Sequence, residues 1–240
     1  MKYKTFLLGG LVCILTFSQC LHSIDFIYGS SNTIGNQYLE SDFNRISISN
    51  TCDAVITYAD SFSITVTVNE NIRQHVNVVK ENDHLRIFLD HGYNYRKITF
   101  RTHITLPVLK GISASGASKA QLNGFNSGFY FEADLSGASS MSGTVISGDA
   151  NFTLSGASEI MISGEANNIE CKVSGASKCK FDNYICNNVY VNCSGASNVT
   201  VNANGTISGR LSGASTLYYY GNPTLGSFYT SGSSTVKKKG

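Results

Sequence analysis

One five-residue word governs what this chain can fold into. LSGAS stands at 135–139, 154–158 and 211–215, with VSGAS at 173–177 and CSGAS at 193–197. ASGAS at 114–118 precedes the set and TSGSS at 230–234 follows it. The central glycines, from Gly116 to Gly232, are 21, 19, 19, 20, 18 and 19 residues apart. A fixed period near 19 marks a repeat architecture. One unit cannot bury its own apolar face, but stacked copies can.

Aligning the chain on those glycines shows what each unit is. Before the glycine, apolar residues fall on every second position: Phe131/Ala133/Leu135, Ala150/Phe152/Leu154, Ile169/Cys171/Val173. Polar residues such as Glu132, Asp134, Asn151 and Lys172 lie between them. After the glycine the alternation restarts, as in Ile160/Ile162, Cys179/Phe181 and Val199/Val201. Period-2 alternation is the pattern of a strand with one buried face. Each repeat therefore predicts two short strands meeting at a corner. The fold class expected is all-β, a right-handed parallel β-helix, or solenoid, with coils of about 19 residues rising by roughly 4.8 Å each.

In that architecture the word is a building part. Side chains at a repeated corner stack on their own copies, so bulk or charge would clash at every level. Glycine supplies the backbone angles of a sharp bend. The alanines, such as Ala138 and Ala157, are expected inside the corner, and the serines in hydrogen-bonded ladders beside it. Cys171, Cys179 and Cys193 fall on apolar columns and read as small buried hydrophobes. Cys186 lies in a less regular stretch.

The residues before Gly111 alternate too: Ile46/Ile48, Ile64/Val66/Val68, Leu85/Ile87/Leu89, Ile104/Leu106. Their starts are 18, 21 and 19 residues apart, so the same coil is expected to run on in degenerate form over 41–110. It would either join the SGAS-repeat β-helix of 111–240 as one solenoid or abut it near Pro107–Gly111.

The chain opens MKYKTFLLGGLVCILTFSQC. Lys2 and Lys4, then an apolar run from Thr5 to Phe17, read as a signal peptide over 1–19; the run is short of the ~20 residues a spanning helix needs. Cys20 stands where a bacterial lipoprotein carries its lipid, although Gln19 replaces the usual small residue before it. Residues 20–40 would be a tether. Loss of 1–19 leaves 16 basic and 16 acidic residues. A chain of zero net charge lacks the polyelectrolyte attraction that nucleic-acid binding draws on.

The segment TLPVLKGISASGAS followed by serial SGAS words resembles the putative auto-transporter adhesin, head GIN domain family over about residues 40–236. That resemblance implies an exported protein of Gram-negative bacteria, an all-β solenoid and, for many members, a lipid anchor at the outer membrane. It brings no catalytic or ligand residues to carry over.

Three functions fit these features. The favoured one is a cell-surface, adhesin-like binding protein, non-catalytic, anchored at Cys20. Its ligand would be a glycan or protein, with Tyr218, Tyr220 and Tyr229 on outward columns as candidate contacts; Tyr93 and Tyr95 near a loop are further exposed candidates. Periplasmic or secreted locations are the alternatives. The second function is a polysaccharide-processing enzyme, which needs paired carboxylates or a metal. The acids of the repeat half, among them Glu132, Asp134, Glu159 and Glu170, read as lying on different columns. The five histidines (22, 75, 84, 91, 103) have no metal-type spacing, so no catalytic residue, cofactor or metal is assigned. The third is a structural envelope protein, a homo-oligomer through a flat solenoid face. The terminal Lys237-Lys238-Lys239 reads as protection of an open strand edge.

Overall fold

The structure is a computed structural model and describes residues 25–239. The leader and Cys20 lie outside the described residues. The chain is nearly all β, at 65% strand, and winds into a solenoid of about six turns with parallel strands. None of its described helices is long and apolar enough to cross a membrane.

Two long ladders carry the repeat. A leading sheet is made by the strands before the SGAS word: Arg45–Ile48, Gly111–Ala114, Phe131–Leu135, Ala150–Leu154 and their successors. A trailing sheet is made by the strands after it: Asp53–Tyr58, Lys119–Asn126, Ser140–Ile146 and their successors. In the middle of the molecule, Glu159–Val173 and Lys178–Cys193 each run through both sheets without a break. Register follows the repeat. Phe131 pairs with Ala150, Ala150 with Ile169, Ile169 with Val189 and Val189 with Ile207, all facing inward.

The interior is a continuous apolar column. Phe152 sits at its centre, with ring centroids 6.2 Å from Phe131, 4.7 Å from Phe181 and 6.1 Å from Tyr184. Each such side chain contributes about 1.5–3 kcal/mol by leaving water. Tyr184 is buried with its hydroxyl 2.9 Å from Ser147 Oγ, so its polar end is satisfied. Cys171 stacks on Phe152 in register and Cys179 on Ile160, as the columns predict. Cys52, Cys171, Cys179, Cys186 and Cys193 are all buried free thiols. Burial pushes Cys52, Cys186 and Cys193 up to about 12.

The corner differs from expectation in one respect. The alanines point outward, and the last serine of each word is the residue turned in. Ser118, Ser139, Ser158, Ser177, Ser197 and Ser215 are buried, whereas Ala138, Ala157 and Ala176 are exposed. The inward serine closes the bend: Ser158 Oγ donates to the Ser155 carbonyl at 2.7 Å, and Ser197 Oγ to that of Ser194 at 2.6 Å. The alanine N–H serves the stack instead, donating to the glycine carbonyl one rung below (Ala157 to Gly137 at 2.8 Å, Ala176 to Gly156 at 2.7 Å). The glycine is needed twice over. Gly156 has φ +74°, and a Cβ there would lie 2.4 Å from Gly137 O.

The N-terminal half continues the coil only in part. Arg45–Ile48 and Asp53–Tyr58 form a rung whose corner is Ser49-Asn50-Thr51-Cys52, with Cys52 buried where the repeats bury serine. The strands His84–Leu89 and Phe100–Leu106 stack in parallel on one side of that rung, and 111–126 stack on the other. Ser63–Asn69 pairs antiparallel with Phe100–Leu106, and Val76–Glu81 antiparallel with His84–Leu89. Alternation reports a buried face and is blind to strand direction. A solenoid end also needs strands that cover its open edges. The described part of the expected tether belongs to the same cap. Asp25–Tyr28 pairs in parallel with Tyr93–Arg96, and Thr33–Tyr38 antiparallel with Ser63–Asn69.

Candidate functional site

The outer face of the leading sheet gathers carboxylates, carboxamides and two exposed tyrosines. Five positions before each repeat glycine stand Glu132, Asn151, Glu170, Tyr190 and Ser208; register pairs each with the next. Seven positions before stand Tyr130, Asp149, Asn168, Asn188 and Thr206. Glu132 and Glu170 therefore share one column, with Asn151 between them, which corrects the expectation that the acids are scattered. The period is 19 there, so a difference of two periods places both carboxylates on one line.

Both carboxylates are engaged. Arg45 Nη1 meets Glu132 Oε2 at 2.8 Å. Gly111 lies between them in register, and a Cβ there would sit 2.9 Å from Arg45 Nη1, so glycine leaves the arginine room to reach across. Lys172 Nζ meets Glu170 Oε1 at 2.9 Å; this hydrogen bond holds the lysine above its usual range. Asp134, beside Glu132, is pushed up by burial and then by the Glu132 charge.

A groove of about 560 Å³ opens across these columns. Tyr130 and Tyr190 line it, exposed at 47% and 39%. They stand three rungs apart, roughly 14 Å at the strand spacing. The adjoining wall is a ladder of side-chain amides. Asn168 Nδ2 donates to Asp149 Oδ1 at 2.8 Å, Asn188 Nδ2 to Asn168 Oδ1 at 2.9 Å, and the Thr206 N–H to Asn188 Oδ1 at 2.9 Å. This wall is preorganised because each amide holds the next. The Asn151 Oδ1, enclosed between the rungs, has no hydrogen-bond partner. A smaller depression of about 370 Å³ lies on the same sheet, between Arg86 and Phe88 of the cap and Asp134.

The tyrosines expected as contacts lie elsewhere. Tyr218 and Tyr220 are on the trailing strand Thr216–Gly221, with Lys239 Nζ 5.5 and 5.6 Å from their ring centroids. Tyr229 is on the leading strand Thr224–Thr230, next to Arg210. The structure brings the first two together and separates them from the third. Tyr93 and Tyr95 belong to the cap, where both pack on His75. Tyr130 and Tyr190 were missed, although they stand on the polar positions of the same alignment.

The model of the family described as putative auto-transporter adhesin, head GIN domain, matches residues 42–223. The chain belongs to this family. Its fold matches the crystal structure of a putative adhesin from Bacteroides fragilis NCTC 9343, with a TM-score of 0.83 and 20% identity, over 89% of this chain and 100% of that one. A putative lipid binding protein from Parabacteroides distasonis ATCC 8503 matches with a TM-score of 0.75 and 17% identity, over 90% and 100%. A putative adhesin from Parabacteroides merdae ATCC 43184 gives 0.66 and 17%, over 90% and 100%. At these identities the likeness concerns the fold. No curated protein matches the chain.

Proposed function

We propose that the protein is an exported, adhesin-like surface protein that acts by binding rather than by catalysis, with the groove between Tyr130 and Tyr190 as its contact site. The observation that carries this is the pairing of two exposed aromatic side chains with a rigid amide wall on a scaffold that does not need them for its core. Tyrosine offers large contact area for little lost entropy and is enriched at recognition surfaces. Family membership supports the adhesin-like reading and an exported location. The carboxamides and carboxylates along the groove suit a ligand that carries polar groups. Glu132 and Glu170 are each neutralised by a cation, which speaks against a free acid–base pair. No group of metal-ligating side chains occurs among the described residues. Attachment through a lipid on Cys20 belongs to the same proposal.

The test is adhesion. Beads carrying the purified protein are expected to adhere to bacterial or mammalian cells or to matrix proteins. The Tyr130→Ala/Tyr190→Ala variant should lose most of that adhesion, with its melting temperature unchanged. Undiminished adhesion by a folded double variant removes the groove from the function. Fatty-acid labelling of cells expressing the full chain should be abolished by Cys20→Ser.

A further inference from the structure

From the chemistry of the groove we infer that its ligand is a neutral glycan, a short stretch of chain lying across the rungs with sugar rings against Tyr130 and Tyr190. The inference rests on the groove being the contact site and adds the class of ligand.

The argument begins with the two rings. A pyranose presents one face of C–H groups and an equator of hydroxyls. The C–H face stacks on an aromatic ring through dispersion and weak C–H···π attraction, and Tyr adds a hydroxyl at the wet edge. Two exposed tyrosines three rungs apart, about 14 Å along the stack at the strand spacing, suit a ligand with such faces at intervals along its length. A compact single ring could reach only one of them.

Next comes what lies between the rings. The groove lining holds carboxamides and carboxylates: Asn151, Asn168, Asn188, Asp149 and Glu170. These groups offer acceptors and donors of the kind that sugar hydroxyls pair with. The ladder commits one oxygen of Asp149 and leaves the second to the groove. Asn151 adds an independent sign. Its amide oxygen lies within the floor with no hydrogen-bond partner, although buried polar atoms are nearly always paired. A small rotation of that amide gives the oxygen a hydroxyl to accept from.

Charge then decides between glycans. Of the two carboxylates in the lining, Glu170 is paired with Lys172, and Asp149 is left as the unpaired charge with no basic residue in the lining to offset it. Sialylated, sulfated or uronic chains would meet that like charge, and so would phosphate. Peptides fit less well: an extended peptide seeks a free strand edge for its backbone, and every leading strand that lines the groove is already paired on both sides.

A glycan array probed with the full mature protein tests this, with titration calorimetry on the best neutral oligosaccharide found. Binding should be confined to neutral glycans and should change little between low and physiological salt. It should weaken at least tenfold in Tyr130→Ala or Tyr190→Ala and several-fold in Asn151→Ala. Tyr218→Ala/Tyr220→Ala, on the other sheet, should bind as the parent does. Binding only to anionic glycans, or to none, overturns the inference, as does neutral binding unmoved by the groove variants. The adhesion assay separates the two failures. If the double tyrosine variant loses adhesion but no neutral glycan binds or competes, the groove stands as contact site and the glycan falls. If adhesion survives the double variant, the groove itself falls.

Discussion

At the residue scale the repeat word is a division of labour among four positions, and each position has its own energetic consequence. Gly156→Ala places a Cβ against the carbonyl of the rung below and forces a left-handed φ on alanine; the angle alone costs about 1–2 kcal/mol. Ser158→Ala leaves the Ser155 carbonyl without its side-chain donor inside the bend, a loss of about 1–3 kcal/mol. Ala157→Ser sits on an exposed position and should stay within ~0.5 kcal/mol. Urea unfolding of the three variants should therefore rank them Gly156→Ala the worst, then Ser158→Ala, then Ala157→Ser near the parent. If Ala157→Ser matched Ser158→Ala, the orientation of the corner would be wrong. That orientation was legible. Leu154, Ser158 and Ile160 are all even-numbered, so Ser158 shares the inward parity of the two strands, with Gly156 turned out at the bend between them. A preference for burying alanine over serine argued the other way. The structure sides with parity because a short hydroxyl can satisfy the corner carbonyls and a methyl cannot.

At the scale of the element, the trailing and leading strands were readable because the period aligned each with its own copies. The cysteines show how far that alignment reaches into energetics. Cys186 and Cys193 lie on strand Lys178–Cys193, facing the core, and burial raises both from 9.0 to about 12. Their folded values lie above the unfolded ones, so the folded state keeps its protons when the unfolded state gives them up. Stability is intact below pH ~9 and is lost as pH climbs from there towards 12. Denaturation midpoints measured from pH 8 to 11 should fall, and fall less steeply in Cys186→Ala/Cys193→Ala, whatever that variant costs at neutral pH. Equal slopes would mean that these thiols reach solvent. Outward positions were harder to read. Tyr130 and Tyr190 stand on polar columns where one aromatic residue looks incidental. Only the rise of the coil shows that three rungs separate them with an amide wall between. The cap was harder still. Ile64–Val68 and Leu85–Leu89 alternate as well as any coil strand, and nothing in alternation says that Ser63–Asn69 runs antiparallel to its neighbour.

For the whole molecule, the two ends of the solenoid pose the same problem and meet it differently. A stack of parallel strands has an unpaired edge at each end, a template for another chain. The N-terminal end is closed by antiparallel strands, Ser63–Asn69 and Val76–Glu81, with Thr33–Tyr38 added outside. At the other end the last rung, Thr224–Thr230 and Thr235–Lys238, pairs on one side only among the described residues. Its apolar residues are poorly covered, Leu225 being 48% exposed. The protection there is chemical. Lys237, Lys238 and Lys239 put three like charges on the terminal edge, and Lys239 folds back over Tyr218 and Tyr220. Two such ends brought together would face six cations across a strand spacing, which opposes pairing at low salt and is screened as salt rises. Replacing the three lysines with serine should therefore give end-to-end association. Light scattering should show mass growing with concentration in the variant at low salt, while the parent grows only at high salt. The rungs themselves should not notice: the unfolding midpoint of the dilute variant should match that of the parent. A variant that stays as monodisperse as its parent at every salt concentration would show that the geometry of the last rung, and not its charge, keeps the open edge unpaired.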